Sequence, residues 1–200
     1  MKNNWFLLLP LWLFVPSTAA VWPQPSEKIY FRNPSFEDVP RASASPKGWH
    51  TSTPGSTPDI LPGAWGLETT PQDGKTCVGL VTRNDGTVEN IAQALAEPMK
   101  AEGCYNFSVY LAHLDKYVGF NGPVRLRVWG SASKGEKGSL LASSPLISHS
   151  DWRLYTFQFF TTGQVRYLTF EAWYGPGTTF KYNGNILLDN CSPIEKCVRA

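Results

Sequence analysis

Charge is scarce in this chain. Only 17% of its 200 residues are Asp, Glu, Lys or Arg, and 18 basic against 16 acidic side chains leave a net charge of +2. That balance offers no electrostatic footprint for nucleic acid and no polybasic patch for a membrane surface. Histidine is scarce too: His50, His113 and His149 are scattered without metal-ligand spacing. The G-x-S-x-G, H-E-x-x-H, G-x-G-x-x-G and Walker patterns are all missing, so no catalytic signature points to an enzyme. Beyond residue 20 there is no long apolar run, which excludes a second hydrophobic helical span. Helical periodicity is nearly absent as well. The stretch 90–100 is the one plausible helix, and Pro98 inside it favours strand plus turn.

Glycine, proline and aromatics are plentiful: 17 Gly, 16 Pro, 8 Trp, 8 Tyr and 11 Phe. Such a composition suits short strands joined by turns, and the length suits one domain. Strands are expected at 76–82, 88–96, 104–112, 123–129, 139–142, 153–161, 165–174 and 185–191, with a shorter one at Ile29-Tyr30-Phe31. Turn signals such as Asn84-Asp85-Gly86, Asn121-Gly122-Pro123 and Gly175-Pro176-Gly177 separate them. Period-two alternation puts Tyr105, Phe107, Val109 and Leu111 on one face, as it does Val124, Leu126 and Val128, and Leu168, Phe170, Ala172 and Tyr174. This pattern predicts an all-β fold, an antiparallel β-sandwich or jelly roll. Residues 38–75, dense in Pro, Gly, Ser and Thr around Trp49 and Trp65, form a long surface excursion. Long excursions are often functional or pinned by buried aromatics.

Residues 1–20 have the layout of a secretory signal peptide: Lys2, an apolar run from Trp5 to Val15, and Ser17-Thr18-Ala19-Ala20 for cleavage. The run is too short for a membrane anchor and is broken by Pro10 and flanked by Pro16. The expected location is therefore secreted, periplasmic or cell-surface. Export makes Cys77, Cys104, Cys191 and Cys197 a disulfide framework rather than a zinc site. The preferred pairing is Cys77–Cys191 with Cys104–Cys197, which pins the C-terminus to the body. The alternative joins Cys191 to Cys197 and Cys77 to Cys104.

Several motifs carry a resemblance. Asn33-Pro34-Ser35-Phe36-Glu37 is followed by Gly48-Trp49, Gly74-Lys75-Thr76, Ala101 to Phe107, Trp152 to Phe157 and Asn185 to Asn190. In this order they resemble galactose-binding-like jelly rolls, among them carbohydrate-binding modules of the family 4, 9 and 22 type, and secreted domains of Bacteroidota-type bacteria. The likeness spans about residues 30–195 and implies that 21–200 is one such domain. It also implies a structural calcium ion held by the Glu37 and Asp189 carboxylates and by backbone oxygens near Asn33 and Lys75. The alternative is that Glu37 caps a turn and Asp189 accepts backbone hydrogen bonds. Asn190, where such domains carry a second Asp, removes one charge.

The polar sheet face is the expected ligand surface, with Tyr110, Arg125, Arg127, Trp129, Glu171 and Trp173 as its binding residues. The tryptophans would supply stacking planes, and the charged groups would reach hydroxyls on a glycan or cell-surface polymer. The competing expectation pairs an arginine with Glu171 and buries the tryptophans under the 38–75 excursion. A second candidate is the loop rim formed by Arg83-Asn84-Asp85-Gly86 and His113 to Asn121. Three function classes follow: a non-catalytic carbohydrate-binding module, a structural or adhesive cell-surface domain, and a glycoside hydrolase using carboxylates such as Asp85, Glu89 and Asp115. No nucleic-acid partner, membrane span or catalytic residue is expected in the mature chain.

Overall fold

The computed structural model describes residues 28–197; the expected signal peptide at 1–20 lies outside them. The strands are β1 (Lys28–Ile29), β2 (Asp59–Leu61), β3 (Cys77–Thr82), β4 (Asn90–Met99), β5 (Cys104–Ala112), β6 (Gly122–Pro123), β7 (Arg125–Ser131), β8 (Ser139–Ser143), β9 (Arg153–Phe160), β10 (Val165–Trp173), β11 (Gly184–Asp189) and β12 (Ile194–Lys196). A 3-10 turn at Ala64–Gly66 is the sole helical element among the described residues. The strands form an antiparallel β-sandwich, a jelly roll. The larger sheet runs β1-β12-β5-β11-β3-β2, with β9 paired to β5 and β6 paired parallel to β11. The smaller runs β4-β10-β7-β8. Strand β5 pairs with β9 along one edge and divides its other edge between β12, at Tyr105 and Asn106, and β11, at Tyr110 to Ala112.

The predicted inward sets meet between the sheets. Val109, Leu111, Val124, Leu126, Val128, Leu168, Phe170 and Ala172 are all fully buried. The 90–100 segment is strand: β4 is the outer strand of its sheet, where proline costs no ladder bond, and the register shifts near Pro98. From the excursion, Trp49 enters this core, with ring centroids 5.0 Å from Phe36, 5.5 Å from Phe170 and 5.8 Å from Phe31. Its Nε1 donates to the Asn33 carbonyl at 3.0 Å. This buried indole is one fastening of the excursion to the body.

The outer face of the larger sheet carries a second apolar layer. Residues Cys77 and Val81 of β3 and Leu187 of β11 turn outward there and are covered by Leu61, Ala64 and Leu67 of the excursion and by Tyr117 of the β5–β6 loop. Gly79 lies beneath Tyr117; a Cβ at that position would overlap the phenol. Tyr117 can therefore lie flat on the sheet and donate from Oη to Asp59 Oδ2 at 2.8 Å.

The cysteine expectation divides. Cys104 and Cys197 form the disulfide, with Cα atoms 5.3 Å apart. Cys77 and Cys191 are free and buried, which corrects the preferred second pair. The reason is strand alternation: Cys77 faces the outer layer, whereas Cys191 packs in the core between the sheets. Burial pushes both thiols well above their usual range. Without reduction, therefore, a thiol reagent should find two reactive groups per chain in denaturant and none in the folded protein. No thiol in denaturant would mean that a second disulfide exists.

Candidate functional site

The expected polar face is real but is not one surface. Arg125, Arg127 and Trp129 stand on β7, opposite Trp173, Glu171 and Thr169 of β10. Tyr110 belongs to β5 in the other sheet, so the structure does not bring it to this group. The pairing between arginine and Glu171 does not form either. Glu171, 1% exposed, accepts from Trp129 Nε1 at 2.8 Å and is ion-paired with Lys137. Arg127 stacks instead on Trp173, 3.9 Å from the ring centroid. Lys137 also lies over both rings and Lys181 over Trp173. Cations therefore occupy ring faces that a sugar would need. Trp129 and Trp173 are half-buried, neither open platforms nor core residues.

The residues assigned to calcium are engaged as turn anchors. Asn33 Oδ1 accepts from the Glu37 amide at 2.8 Å, and its Nδ2 donates to the carbonyls of Glu37 and Lys47. Glu37 Oε1 accepts the amides of Lys75 and Thr76. Asp189, fully buried, accepts the amides of Gln72, Asp73 and Asn190. Burial pushes its carboxyl up to about 7, against the pull of those three donors. Among the described residues no three His, Cys, Asp or Glu side chains gather as a metal site. Backbone N–H groups supply the donors to both carboxylates.

A separate cavity lies at the other candidate, the loop rim. A cavity of about 220 Å³ opens between the excursion and the β5–β6 loop, lined by Ser43, Thr57, Asp59, Trp65, Val81, Arg83, Glu89, Tyr117, Val118 and Phe120. Two buried carboxylates meet there. Asp59 accepts the Ser43 amide at 2.9 Å, Trp65 Nε1 at 3.1 Å and Tyr117 Oη at 2.8 Å. Glu89 accepts Thr57 Oγ1 at 2.7 Å and the Val81 amide at 3.0 Å, and pairs with Arg83. Burial raises the Glu89 carboxyl above its ordinary value, opposed by Thr57, Arg83 and the Val81 amide. Arg83 in turn lies 5.9 Å over the Phe120 ring.

Backbone strain gathers here. Ser43 (φ 56°), Trp65 (φ 56°) and Val118 (φ 46°) all line the cavity in left-handed backbone, which bulky and β-branched residues avoid. Trp65 is held by its indole N–H yet is 60% exposed. Of the lining residues, Arg83, Tyr117, Val118 and Phe120 belong to the rim segments expected from the sequence. Asp59, Thr57 and Ser43 carry no such signal, because β2 is three residues long and lies inside a Pro-, Gly-, Ser- and Thr-rich segment. Asp85 and Asp115 lie outside the cavity: Asp85 bonds Thr87, and Asp115 is exposed beside His113.

No protein-family model matches the sequence, and no curated protein matches it. Among solved structures, an arabinose-bound GH51 α-L-arabinofuranosidase is similar over 84% of this chain, with 14% identity and a TM-score of 0.57; the chain spans only 26% of that enzyme. An apo cyclase from Fischerella sp. is similar over 87% of this chain and 98% of its own, with 13% identity and a TM-score of 0.55. The CBM22-1 xylan-binding domain from Paenibacillus barcinonensis is similar over 83% of this chain and 93% of its own, with 14% identity and a TM-score of 0.51. These likenesses establish the β-sandwich and nothing finer.

Proposed function

We propose that the protein is a secreted, non-catalytic carbohydrate-binding module whose ligand enters the Trp65 cavity. The observation that carries this reading is Trp65: an exposed indole held in strained backbone beside preorganised polar groups. Sugar rings stack on such planes while charged and hydroxyl groups take their hydroxyls. The cavity is smaller than the ~300–1,000 Å³ of drug-sized sites, which suits one ring or a chain end. Both carboxylates are tied to several donors, one of them an arginine. That supports binding over the hydrolase reading. The xylan-binding neighbour supports a glycan ligand by fold analogy alone. A glycan array probed with the wild-type chain tests this reading; binding to no glycan would leave the fold and remove the function.

Glu89 supplies a pH prediction. Ionised Glu89 holds Arg83 and accepts from the ligand, so affinity should fall on acidification, with a midpoint above the ordinary value of 4.5. The sign for folding is opposite. A carboxyl raised by burial contributes stability below its unfolded pKa and loses it as pH rises through the folded one. Affinity and its share of stability therefore move in opposite directions, and Glu89→Gln should flatten both. Affinity measured from pH 4 to 8 beside denaturant midpoints checks this.

Location and metal belong to the same proposal. The Cys104–Cys197 disulfide supports an oxidising compartment, whether extracellular, periplasmic or cell-surface. Among the described residues no helix is long and apolar enough to cross a membrane. A structural calcium ion at Asn33, Glu37, Lys75 and Asp189 is decided by melting in chelator. A lowered Tm that calcium restores supports it; an unchanged Tm leaves Glu37 and Asp189 as turn anchors.

A further inference from the structure

We infer that the outer face of the smaller sheet is a second binding site, one for an oxyanion carried on an acidic glycan. Its four cations are not among the residues that line the Trp65 cavity. Four cations converge there: Arg125 and Arg127, two residues apart on one face of β7, with Lys137 and Lys181 over the tryptophans. The acidic groups that face them are Glu171, already held by Lys137 and Trp129, and Asp85, which lines the adjoining groove. Arg83 also reaches this groove, but it is paired with Glu89. Positive charge is left in excess.

Two orphaned donors point to the missing partner. The Nε atoms of Arg125 and Arg127 are buried and have no hydrogen-bond partner. Buried charged donors without acceptors are costly, and native proteins rarely keep them. Burial and the neighbouring Arg125 charge both act to lower the Arg127 pKa, further evidence of two like charges held close with too little compensation. An oxyanion between them would answer both observations. Arginine suits such a partner: its planar fork takes a carboxylate or sulfate through two parallel bonds. Beside it runs an open groove of about 550 Å³, bordered by Trp173, Glu171, Lys137 and the 53–55 and 85–88 loops. A polymer lying there meets Lys137 directly, and Arg127 stands over the Trp173 ring that borders the groove.

Calorimetric titration with hexameric oligogalacturonate tests the carboxylate form, dextran sulfate tests the sulfate form, and xylohexaose is the neutral control. The folded wild-type chain should bind at least one acidic probe and should lose about tenfold in affinity as salt shortens the screening length from about 10 Å towards about 3 Å. Arg125→Gln and Lys137→Gln should each weaken binding about tenfold. Lys137 is half-exposed, so its variant keeps the test alive if Arg125→Gln does not fold. Arg125→Lys should restore only part, because it keeps the charge and loses the fork. Equal affinity for acidic and neutral probes, no affinity for either acidic probe, or unchanged affinity in the folded Lys137→Gln variant would overturn the inference.

Discussion

Serine at both Cys104 and Cys197 is expected to lower the melting temperature by about 10–20 °C. The bridge closes a loop of 93 residues, and cross-linking ends so far apart removes about 4–5 kcal/mol of chain entropy from the unfolded state. A native effect adds to this. Strand β12 lies between β1 and β5 with three residues of its own. Its register, Lys196 on Tyr105 and Glu195 on Asn106, is held at its end by the disulfide and by the Cys197 amide, which donates a hydrogen bond to the Cys104 carbonyl. Calorimetry of the double variant beside the oxidised chain measures the sum. A shift of only about 2 °C would mean that the loop is already constrained when unfolded.

Strand alternation made most of the fold legible. Val124, Leu126 and Val128, spaced by two between polar residues, are all fully buried as that spacing demands, because one face of a sandwich sheet has nowhere else to go. What alternation cannot say is which sheet a strand joins. Tyr110 and Arg127 both point outward, yet they stand on strands of different sheets. Pairing across the jelly roll is non-local, and no spacing along the chain encodes it. The same limit decided the cysteines: Cys77 and Cys191 lie on opposite sides of one sheet.

The cavity was legible only in part, for a related reason. Its rim residues Arg83 and Tyr117 sit in loops rich in polar and aromatic groups, a visible signal. Asp59 and Trp65 lie in a Pro- and Gly-rich stretch where no periodicity marks a strand. What makes them a site is convergence: Tyr117 reaches Asp59 across 58 positions and Thr57 reaches Glu89 across 32. The Trp65 indole is visible in the sequence but its exposure is not, because that depends on a left-handed backbone that composition does not announce for tryptophan.

Trp65→Ala tests the central claim most directly. The ring is 60% exposed, so truncation leaves little cavity in the core and should move the denaturant midpoint slightly, at most by the ~1 kcal/mol of its hydrogen bond to Asp59. Binding should suffer far more. An aromatic platform at the centre of a ligand site contributes about 2 kcal/mol or more, roughly a 30-fold loss of affinity. Affinity electrophoresis on the glycan that the wild type selects from an array, run beside an equilibrium denaturation curve, reads both quantities. The account predicts lost retention with a nearly unchanged midpoint. Retention equal to wild type in a folded Trp65→Ala chain would contradict it.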